Sequence, residues 1–370
     1  MARSVVGDTL DGSAIEWFTD NPFVATVTQE GLIEGKGDGW VFIRAVAGGK
    51  SDTATVRVRS AGPLQFATIN LGGLSAAGHT CGVASNGEIY CWGLNESGQL
   101  GLGDAISGGT PFPVRSELEF TSLGSGGEHT CALALGGDVY CWGRNSYGQL
   151  GDRSGTSSTV PVRVAGEGDF ATVRAGGDHT CGLKADGTAF CWGRNDLGQL
   201  GNGSKDNRTT PTAVYGDHVF QTLDAGGLHT CGVTTDFVGY CWGDNSSGQL
   251  GDGTNLQSDT AVAVVAVDAV QFGRVTAGGE HSCAIAPDNV AYCRGANSFG
   301  QLADYSTDPS NVPVRVGGGF LYDEIDSGPT HTCADVAFSE VLMCWGHNQV
   351  GELGNGTMTN SNYPVRVDGT

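Results

Sequence analysis

Twelve cysteines and six histidines recur in this chain at fixed spacing, and both residue types can bind metals or carry redox and acid–base chemistry. The histidines are separated by 50, 50, 50, 52 and 50 residues: His79, His129, His179, His229, His281 and His331. Each is followed two residues later by the first cysteine of a pair: Cys81 and Cys91, Cys131 and Cys141, Cys181 and Cys191, Cys231 and Cys241, Cys283 and Cys293, Cys333 and Cys344. A period of this size predicts a solenoid or a propeller, in which each unit buries its apolar face against its neighbours.

A turn separates the two cysteines of each pair, as at Ser85-Asn86-Gly87 in the first repeat. A three-residue hairpin loop there places Cys81 directly opposite Cys91. At a non-hydrogen-bonded pair the Cα atoms lie about 4.5 Å apart, which a disulfide tolerates. Zinc would need short C-x-x-C knuckles that are missing here. Six disulfides are favoured, and reduced cysteines buried as small core residues are the alternative.

The histidines are predicted to be structural. Each follows a glycine-rich turn and precedes Thr or Ser and then Cys, a place where a buried imidazole can bond to nearby groups. A shared metal ion would need several side chains within about 2.1 Å, and successive repeats hold these residues too far apart. The chain has no nucleophile elbow, Walker loop, Rossmann glycine pattern or H-E-x-x-H. We therefore expect no catalytic residue, no metal site, no cofactor and no enzyme activity.

Composition narrows the class of protein. The 370 residues include 62 glycines and three methionines, and the formal net charge is −21. This charge argues against a nucleic-acid partner, which needs a basic face. No apolar run is long enough to span a membrane. Six disulfides favour an exported protein, so we expect a secreted or cell-surface monomer whose signal peptide was lost with a truncated N-terminus.

Each repeat reads as four short strands, the content of one propeller blade. The phrase that ends in N-x-x-G-Q-L-G, as at Asn195–Gly201, resembles the regulator of chromosome condensation repeat over residues 62 to 370. The resemblance implies an all-β propeller over residues 61–370, with six visible repeats and either six or seven blades. Repeat five departs from the pattern at Arg294, which replaces tryptophan, and at Ala303. Repeat six has Glu352 in place of glutamine.

Residues 1–60 contain no cysteine and read as short alternating strands, which predicts a small β-sandwich. The segments W-x-x-x-N-P-x-V-A-T-V, G-L-I-x-G and G-x-x-x-I-x-A resemble the bacterial Ig-like group 2 domain. That family occurs on secreted and surface proteins. We expect a partial domain of this type, lacking its first strand or two.

Positions that differ between the repeats are the candidates for binding, because the scaffold does not dictate them. The residue before each histidine varies, and so does the second residue inside N-x-x-G. From these we select Glu128, Asp178, Glu280, Tyr147, Leu197 and Phe299. Tyr147, Leu197 and Phe299 would be exposed anchors on one rim, or would only cover the neighbouring blade. The three acidic residues match the place where, in the family's nuclear member, a small GTPase is contacted.

These observations predict a non-catalytic binding or adhesion module of an exported bacterial protein, which binds a protein or a glycan through propeller loops. Two alternatives stay open. One is an inhibitor of a secreted enzyme, since a related propeller family inhibits β-lactamases. The other is a guanine-nucleotide exchange factor by family analogy, although no repeat gains the residues needed for a β-wedge.

Overall fold

The structure is a computed structural model that describes residues 15–37, 39–48, 50–58, 64–73, 78–166, 168–266 and 270–369. The chain divides into two compact units, residues 1–64 and 65–370. In the described part of the chain, regular structure is almost entirely β-strand, with a short 3₁₀ helix at Gly317–Gly319. Within the described residues no helix is long and apolar enough to cross a membrane.

The first unit has five described strands: β1 (Glu16–Thr19), β2 (Ala25–Val27), β3 (Ile33–Gly35), β4 (Gly39–Ala47) and β5 (Lys50–Val58). Strands β1, β4 and β5 form one antiparallel sheet, and β2 pairs with β3. Their apolar core is small and centres on Val24, Ala25, Val41 and Ile43. The assignment to an Ig-like domain stays a prediction, and residues 1–14 of it lie outside the described residues.

The second unit contains six four-stranded antiparallel sheets in strict sequence order, so each repeat forms one blade. Blade 1 has β6 (Phe66–Gly72), β7 (His79–Ala84), β8 (Ile89–Gly93) and β9 (Gly108–Pro113); blade 2 has β10 (Phe120–Ser125), β11 (His129–Ala134), β12 (Val139–Gly143) and β13 (Ser158–Arg163). Blade 3 has β14 (Phe170–Ala175), β15 (His179–Lys184), β16 (Ala189–Gly193) and β17 (Arg208–Ala213).

The remaining blades repeat this plan. Blade 4 has β18 (Phe220–Ala225), β19 (His229–Thr234), β20 (Gly239–Gly243) and β21 (Ser258–Ala263); blade 5 has β22 (Arg274–Ala277), β23 (His281–Ile285), β24 (Ala291–Gly295) and β25 (Ser310–Arg315). Blade 6 has β26 (Tyr322–Ser327), β27 (His331–Val336), β28 (Leu342–Gly346) and β29 (Ser361–Arg366). The innermost strands of all six blades line one central channel, so the fold is the predicted β-propeller.

The central hairpin of every blade carries a disulfide, and its two cysteines are partners in the strand register. The six bonds are Cys81–Cys91, Cys131–Cys141, Cys181–Cys191, Cys231–Cys241, Cys283–Cys293 and Cys333–Cys344. The paired Cα atoms lie 4.0–4.2 Å apart, and the described residues include no free cysteine. The predicted register and disulfides are therefore present, with the strands slightly closer than the typical spacing of about 4.5 Å.

Blade 5 keeps its disulfide although its repeat departs from the common phrase. Cys293 is the one second cysteine that is followed by arginine, Arg294, and not by tryptophan. It nevertheless pairs with Cys283 in the same register as the other blades, at a Cα–Cα distance of 4.1 Å. The departure at Arg294 therefore changes what blade 5 presents to blade 4 and leaves its own hairpin intact.

Neighbouring blades are joined by apolar packing between the facing sides of their central hairpins. One face of a blade presents its cystine, and the next blade covers that cystine with the residue that follows its own second cysteine. Trp142 packs with Cys81 and Cys91, Trp192 with Cys131 and Cys141, and Trp242 with Cys181 and Cys191. These tryptophans are fully buried. They are interblade packing residues.

Blade 6 and blade 1 share none of these contacts in the residues that the structure describes. A Cβ built on the turn glycine of blades 1 to 5 would lie 2.5–2.9 Å from the Cα of a residue in the next blade's last strand. At Gly351, the equivalent glycine of blade 6, the nearest atom is on Met358 of the same blade, 3.8 Å away. Cys333 is half-buried, whereas Cys81 and Cys131 are fully buried. We call this uncovered boundary the seam.

Alanine substitutions at two equivalent glycines test whether the seam is uncovered. Gly198 and Gly351 have φ angles of +86° and +90°, so alanine is strained at both, by about 1–2 kcal/mol. At Gly198 the new Cβ would also lie 2.5 Å from the Asp259 Cα of blade 4. We expect Gly198→Ala to lower the free energy of unfolding by about 1–3 kcal/mol more than Gly351→Ala. Urea unfolding of both variants measures this difference. Equal losses would mean that blade 6 is covered in solution.

Candidate functional site: the rim and channel of the propeller

Five of the six histidines lie between blades and not at an open site. The Nε2 atom of five of them is 2.7–2.9 Å from a Thr or Ser hydroxyl of the next blade, beginning with His79 and Thr130. The Thr130 hydroxyl donates to the backbone carbonyl of Gln99 at 2.9 Å, so it accepts from the imidazole. These histidines are at most 2% exposed. Burial lowers the pKa of His79 to about 4 and, as the largest cause, that of His129 to about 3.

The cysteines selected as disulfide residues also lie inside the blades and away from the rim. In blade 5, Cys283 and Cys293 are fully buried and belong to one apolar cluster with Trp345 of blade 6. The Sγ of Cys283 lies 3.9 Å from the Thr332 hydroxyl, which also bonds to His281. The cystines of blades 1 to 5 are fully buried and therefore offer no surface to a partner.

The N-x-x-G-Q-L-G turn holds the rim in place. In blade 2, the buried Asn145 donates through Nδ2 to the Asp152 side chain and to the carbonyl of Thr156. Its Oδ1 accepts from the Leu150 amide at 2.9 Å. The Gln149 side chain accepts from the amide of Tyr147, the variable residue of the turn. The recurring residues of the motif thus anchor the loop from inside, and its variable residues lie at the surface.

Three of the six selected residues meet on this rim. Glu128, Tyr147 and Asp178 lie around two arginines, and we call the five residues Glu128, Arg144, Tyr147, Asp178 and Arg194 the rim cluster. Arg144 lies 3.7 Å from both carboxylates, and Arg194 lies 3.6 Å from Asp178. Their guanidinium carbons are 5.6 and 5.3 Å from the centre of the Tyr147 ring. The cluster therefore spans blades 2 and 3 as one mixed-charge surface.

The electrostatics of the cluster centre on Asp178. Burial raises the pKa of its carboxyl, while Arg144 and Arg194 act in the opposite direction. Arg194 also makes a bidentate pair with Asp196, at 2.7 and 2.8 Å, which raises the pKa of the guanidinium. Paired in this way, the arginine side chains are held in place before any partner arrives, which reduces the ordering cost of binding.

The other three selected residues are not part of the rim cluster. Glu280 is exposed and lies 3.3 Å from the Ser247 hydroxyl, at the boundary of blades 4 and 5. The Phe299 ring packs edge-on against His347, with centroids 4.8 Å apart. Leu197 lies in the blade 3 turn. Tyr147, Leu197 and Phe299 are each half-buried, and their role as binding anchors stays a prediction. For Tyr147 and Phe299, neighbouring Arg and His side chains account for this cover.

The sequence selection missed Arg144 and Arg194. Both directly follow the glycine that ends the C-W-G phrase, and they are the only two of six residues at this position that are alike: Leu94, Arg144, Arg194, Asp244, Ala296 and His347. The same comparison of repeats that selected Glu128 and Asp178 would have found them. What the sequence could not show is that Arg144 reaches across a blade boundary to Asp178.

The central channel is a second variable surface. It encloses about 560 Å³ and is lined by the innermost strands. At one level the six blades contribute Asn70, Gly124, Arg174, Asp224, Thr276 and Asp326. The hydroxyl of Thr276 lies 3.2 Å from Asp224 and 3.3 Å from Asp326. Burial, aided by the charge of Asp326, raises the pKa of Asp224 to about 6. Among the described residues no group of three His, Cys, Asp or Glu side chains is placed to hold a metal ion.

The comparisons with known proteins agree with this architecture. The family model described as the RCC1-like domain matches residues 63–324, which is more than half of the chain. The chain belongs to the RCC1-like domain family. Its repeats and blades are thus those of an RCC1-like propeller.

Solved structures share the RCC1-like fold at low sequence identity. Human WBSCR16 matches with a TM-score of 0.74 and 22% identity, over 85% of this chain and 84% of that one. Prp20p from Saccharomyces cerevisiae, described with its binding to Gsp1p and histones, matches at 0.72 and 21%, over 82% and 77%. Yeast RCC1 (Prp20) in complex with Kap60 matches at 0.71 and 20%, over 82% and 75%.

A matched pair of threonines tests the interblade role of the histidines. Thr130 is fully buried between His79 and Gln99. Thr80, the equivalent residue of blade 1, faces the seam and has no such partner among the described residues. We expect Thr130→Val to lower the free energy of unfolding by about 1–3 kcal/mol, because it leaves the buried Nε2 of His79 unpaired and removes one of the two donors to the Gln99 carbonyl. Thr80→Val should change it by less than about 0.5 kcal/mol. If the two variants unfold alike in urea, the hydroxyl does not join the blades.

The buried histidines also predict acid sensitivity. The folded pKa is about 4 for His79 and about 3 for His129, His179, His229 and His281, against about 6.5 for an unfolded chain. Because these pKa values are lowered, the unfolded state binds more protons, and stability present above pH 6.5 is lost as the pH falls toward 4. Asp224, with its raised pKa, acts in the opposite sense.

At pH 5 we therefore expect unfolding to take up about four protons. Urea midpoints measured between pH 7 and 4.5 give this number from their slope. A stability that does not change between pH 6.5 and 5 would contradict the burial of neutral imidazoles.

Proposed function

We propose that this chain is a non-catalytic protein-binding module of an exported protein, and that the rim cluster contacts the partner. The observation that carries the proposal is the cluster itself, in which two arginines, two carboxylates and a tyrosine from two blades form one preorganised surface. Arg and Tyr are the residue types that most often dominate binding energy at protein interfaces. Mixed charges favour a partner with a complementary charge pattern.

The six cystines support the exported setting, because disulfides persist in oxidising compartments. We propose in addition that the protein is secreted or displayed on a bacterial surface. Relatives of the same fold also support a protein partner, since Prp20p is described as binding Gsp1p and histones, and yeast RCC1 as binding Kap60.

A protein partner is favoured over a glycan. Sugar binding commonly uses an open aromatic face, and the interblade tryptophans are buried. The one aromatic ring of the rim cluster is covered by two guanidinium groups. A partner that offers its own carboxylates and hydrogen-bond acceptors could share these arginines with Asp178 and Glu128.

Three variants test the proposal. The immobilised chain is exposed to proteins of the culture medium and cell surface of the producing organism, and retained proteins are identified by mass spectrometry. Affinity is then measured for Tyr147→Ala, Arg144→Ala and, as a control, Asp138→Ala. Asp138 pairs with Arg163 at the opposite end of blade 2 and is similarly exposed.

We expect each rim variant to weaken binding roughly thirtyfold, the effect of losing about 2 kcal/mol at a central interface residue. The control should bind like the unaltered chain. Equal binding by all three variants would move the interface away from the rim. A retained hydrolase that loses activity would instead support the inhibitor alternative, and faster nucleotide release from a small GTPase would support an exchange factor.

A further inference from the structure

One of the six cystines has a cation in place of an indole. The cystines of blades 1, 2, 3 and 5 are covered by Trp142, Trp192, Trp242 and Trp345. Over the blade 4 cystine, Cys231–Cys241, blade 5 supplies Arg294. Arg294 takes over the indole's bond as well, since its Nε donates to the carbonyl of Gln249 at 3.2 Å, just as Trp142 donates to Gln99 at 2.9 Å.

The guanidinium lies directly against the two sulfur atoms. Nη2 is 2.8 Å from the Sγ of Cys241 and 3.5 Å from that of Cys231. Arg294 is 1% exposed, and its Nη1 has no hydrogen-bond partner. It forms no ion pair with a carboxylate among the described residues. Burial lowers the pKa of Arg294 to about 10, so it still carries its charge at neutral pH.

A buried cation without a counter-ion is costly, and disulfide sulfur is only a weak acceptor. Reduction changes this balance, because a Cys241 thiolate would carry a full negative charge beside Nη2. Arginine next to a cysteine stabilises its thiolate. A disulfide whose reduced form is stabilised in this way is easier to reduce. The other buried cystines face neutral indoles and gain nothing comparable.

We propose that Cys231–Cys241 is a thiol–disulfide exchange site whose reaction partner is a dithiol reductant. A thiolate of the reductant attacks the Sγ of Cys231, the Cys231–Cys241 bond breaks, and the bonding pair leaves on Cys241 as a thiolate facing Arg294. The second thiol of the reductant then resolves the mixed disulfide. The reductant becomes a disulfide, and Cys231 leaves as a thiol that carries the proton of the resolving thiol. The one proton released to solvent is that lost by the dithiol when its attacking thiolate forms.

Access to this site requires the boundary between blades 4 and 5 to open, because both sulfur atoms are fully buried. That boundary lacks the indole that fills the others, and it contains the unpaired Nη1. Both features lower its stability relative to the tryptophan-filled boundaries. The same residue thus favours the reduced state and weakens the cover over the cystine.

The experiment is an equilibrium redox titration of the full chain with mixtures of reduced and oxidised dithiothreitol. Samples are quenched in acid and alkylated, and each cysteine is read by peptide mass spectrometry. We expect Cys231 and Cys241 to become reduced at about a tenfold lower ratio of reduced to oxidised reagent than Cys181 and Cys191, equivalent to about 30 mV. The seam cystine, Cys333–Cys344, is left out of the comparison because it is partly exposed.

Three variants separate charge from packing. Arg294→Trp should bring Cys231–Cys241 back to the behaviour of Cys181–Cys191, and Trp242→Arg should make Cys181–Cys191 the easily reduced pair. Arg294→Gln removes the charge and leaves the indole absent, so it should also restore resistance to reduction. Easy reduction that persists in Arg294→Gln would overturn the proposal, as would co-reduction of the two cystines in the unaltered chain.

Discussion

At five boundaries a backbone carbonyl of one blade accepts hydrogen bonds from the next blade, and these bonds help to hold the propeller together. The Gln99 carbonyl of blade 1 accepts from both the Thr130 hydroxyl and the Trp142 indole of blade 2. The Thr130 hydroxyl in turn accepts from the His79 imidazole. The glutamine, the histidine, the hydroxyl and the tryptophan are therefore parts of one device. Because a buried polar group without a partner is costly, loss of the hydroxyl leaves the His79 Nε2 unpaired, and a displaced carbonyl leaves both of its donors unpaired. This gives a physical reason for these residues to recur together.

The sequence predicted most of this scaffold because its signals are local. Strand alternation and the loop at residues 85–87 suffice to place Cys81 opposite Cys91, and the structure has that register. The residues that line the channel could also have been predicted from the sequence, since Asp224 and Asp326 occupy a position that varies between repeats. The contact that both carboxylates make with Thr276 could not have been predicted, because it depends on how successive blades are arranged around the channel axis.

Other features depend on neighbours that sequence does not reveal. Trp92 follows the same C-W-G pattern as Trp142, but it is half-buried because no blade precedes its own among the described contacts. Tyr147 looks like an exposed anchor until its two arginine neighbours are placed. In both cases the tertiary surroundings, and not the residue type, decide how exposed the side chain is.

The seam gives the propeller two ends. Blades 2 to 5 are held on both sides, whereas blades 1 and 6 are each held on one side by the contacts described. In an array stabilised by nearest-neighbour contacts, the end units open first and the interior units last. Amide hydrogen exchange would then be slower in the interior blades than in blades 1 and 6. The propeller would therefore unfold locally from the two blades at the seam, while its interior blades stay folded.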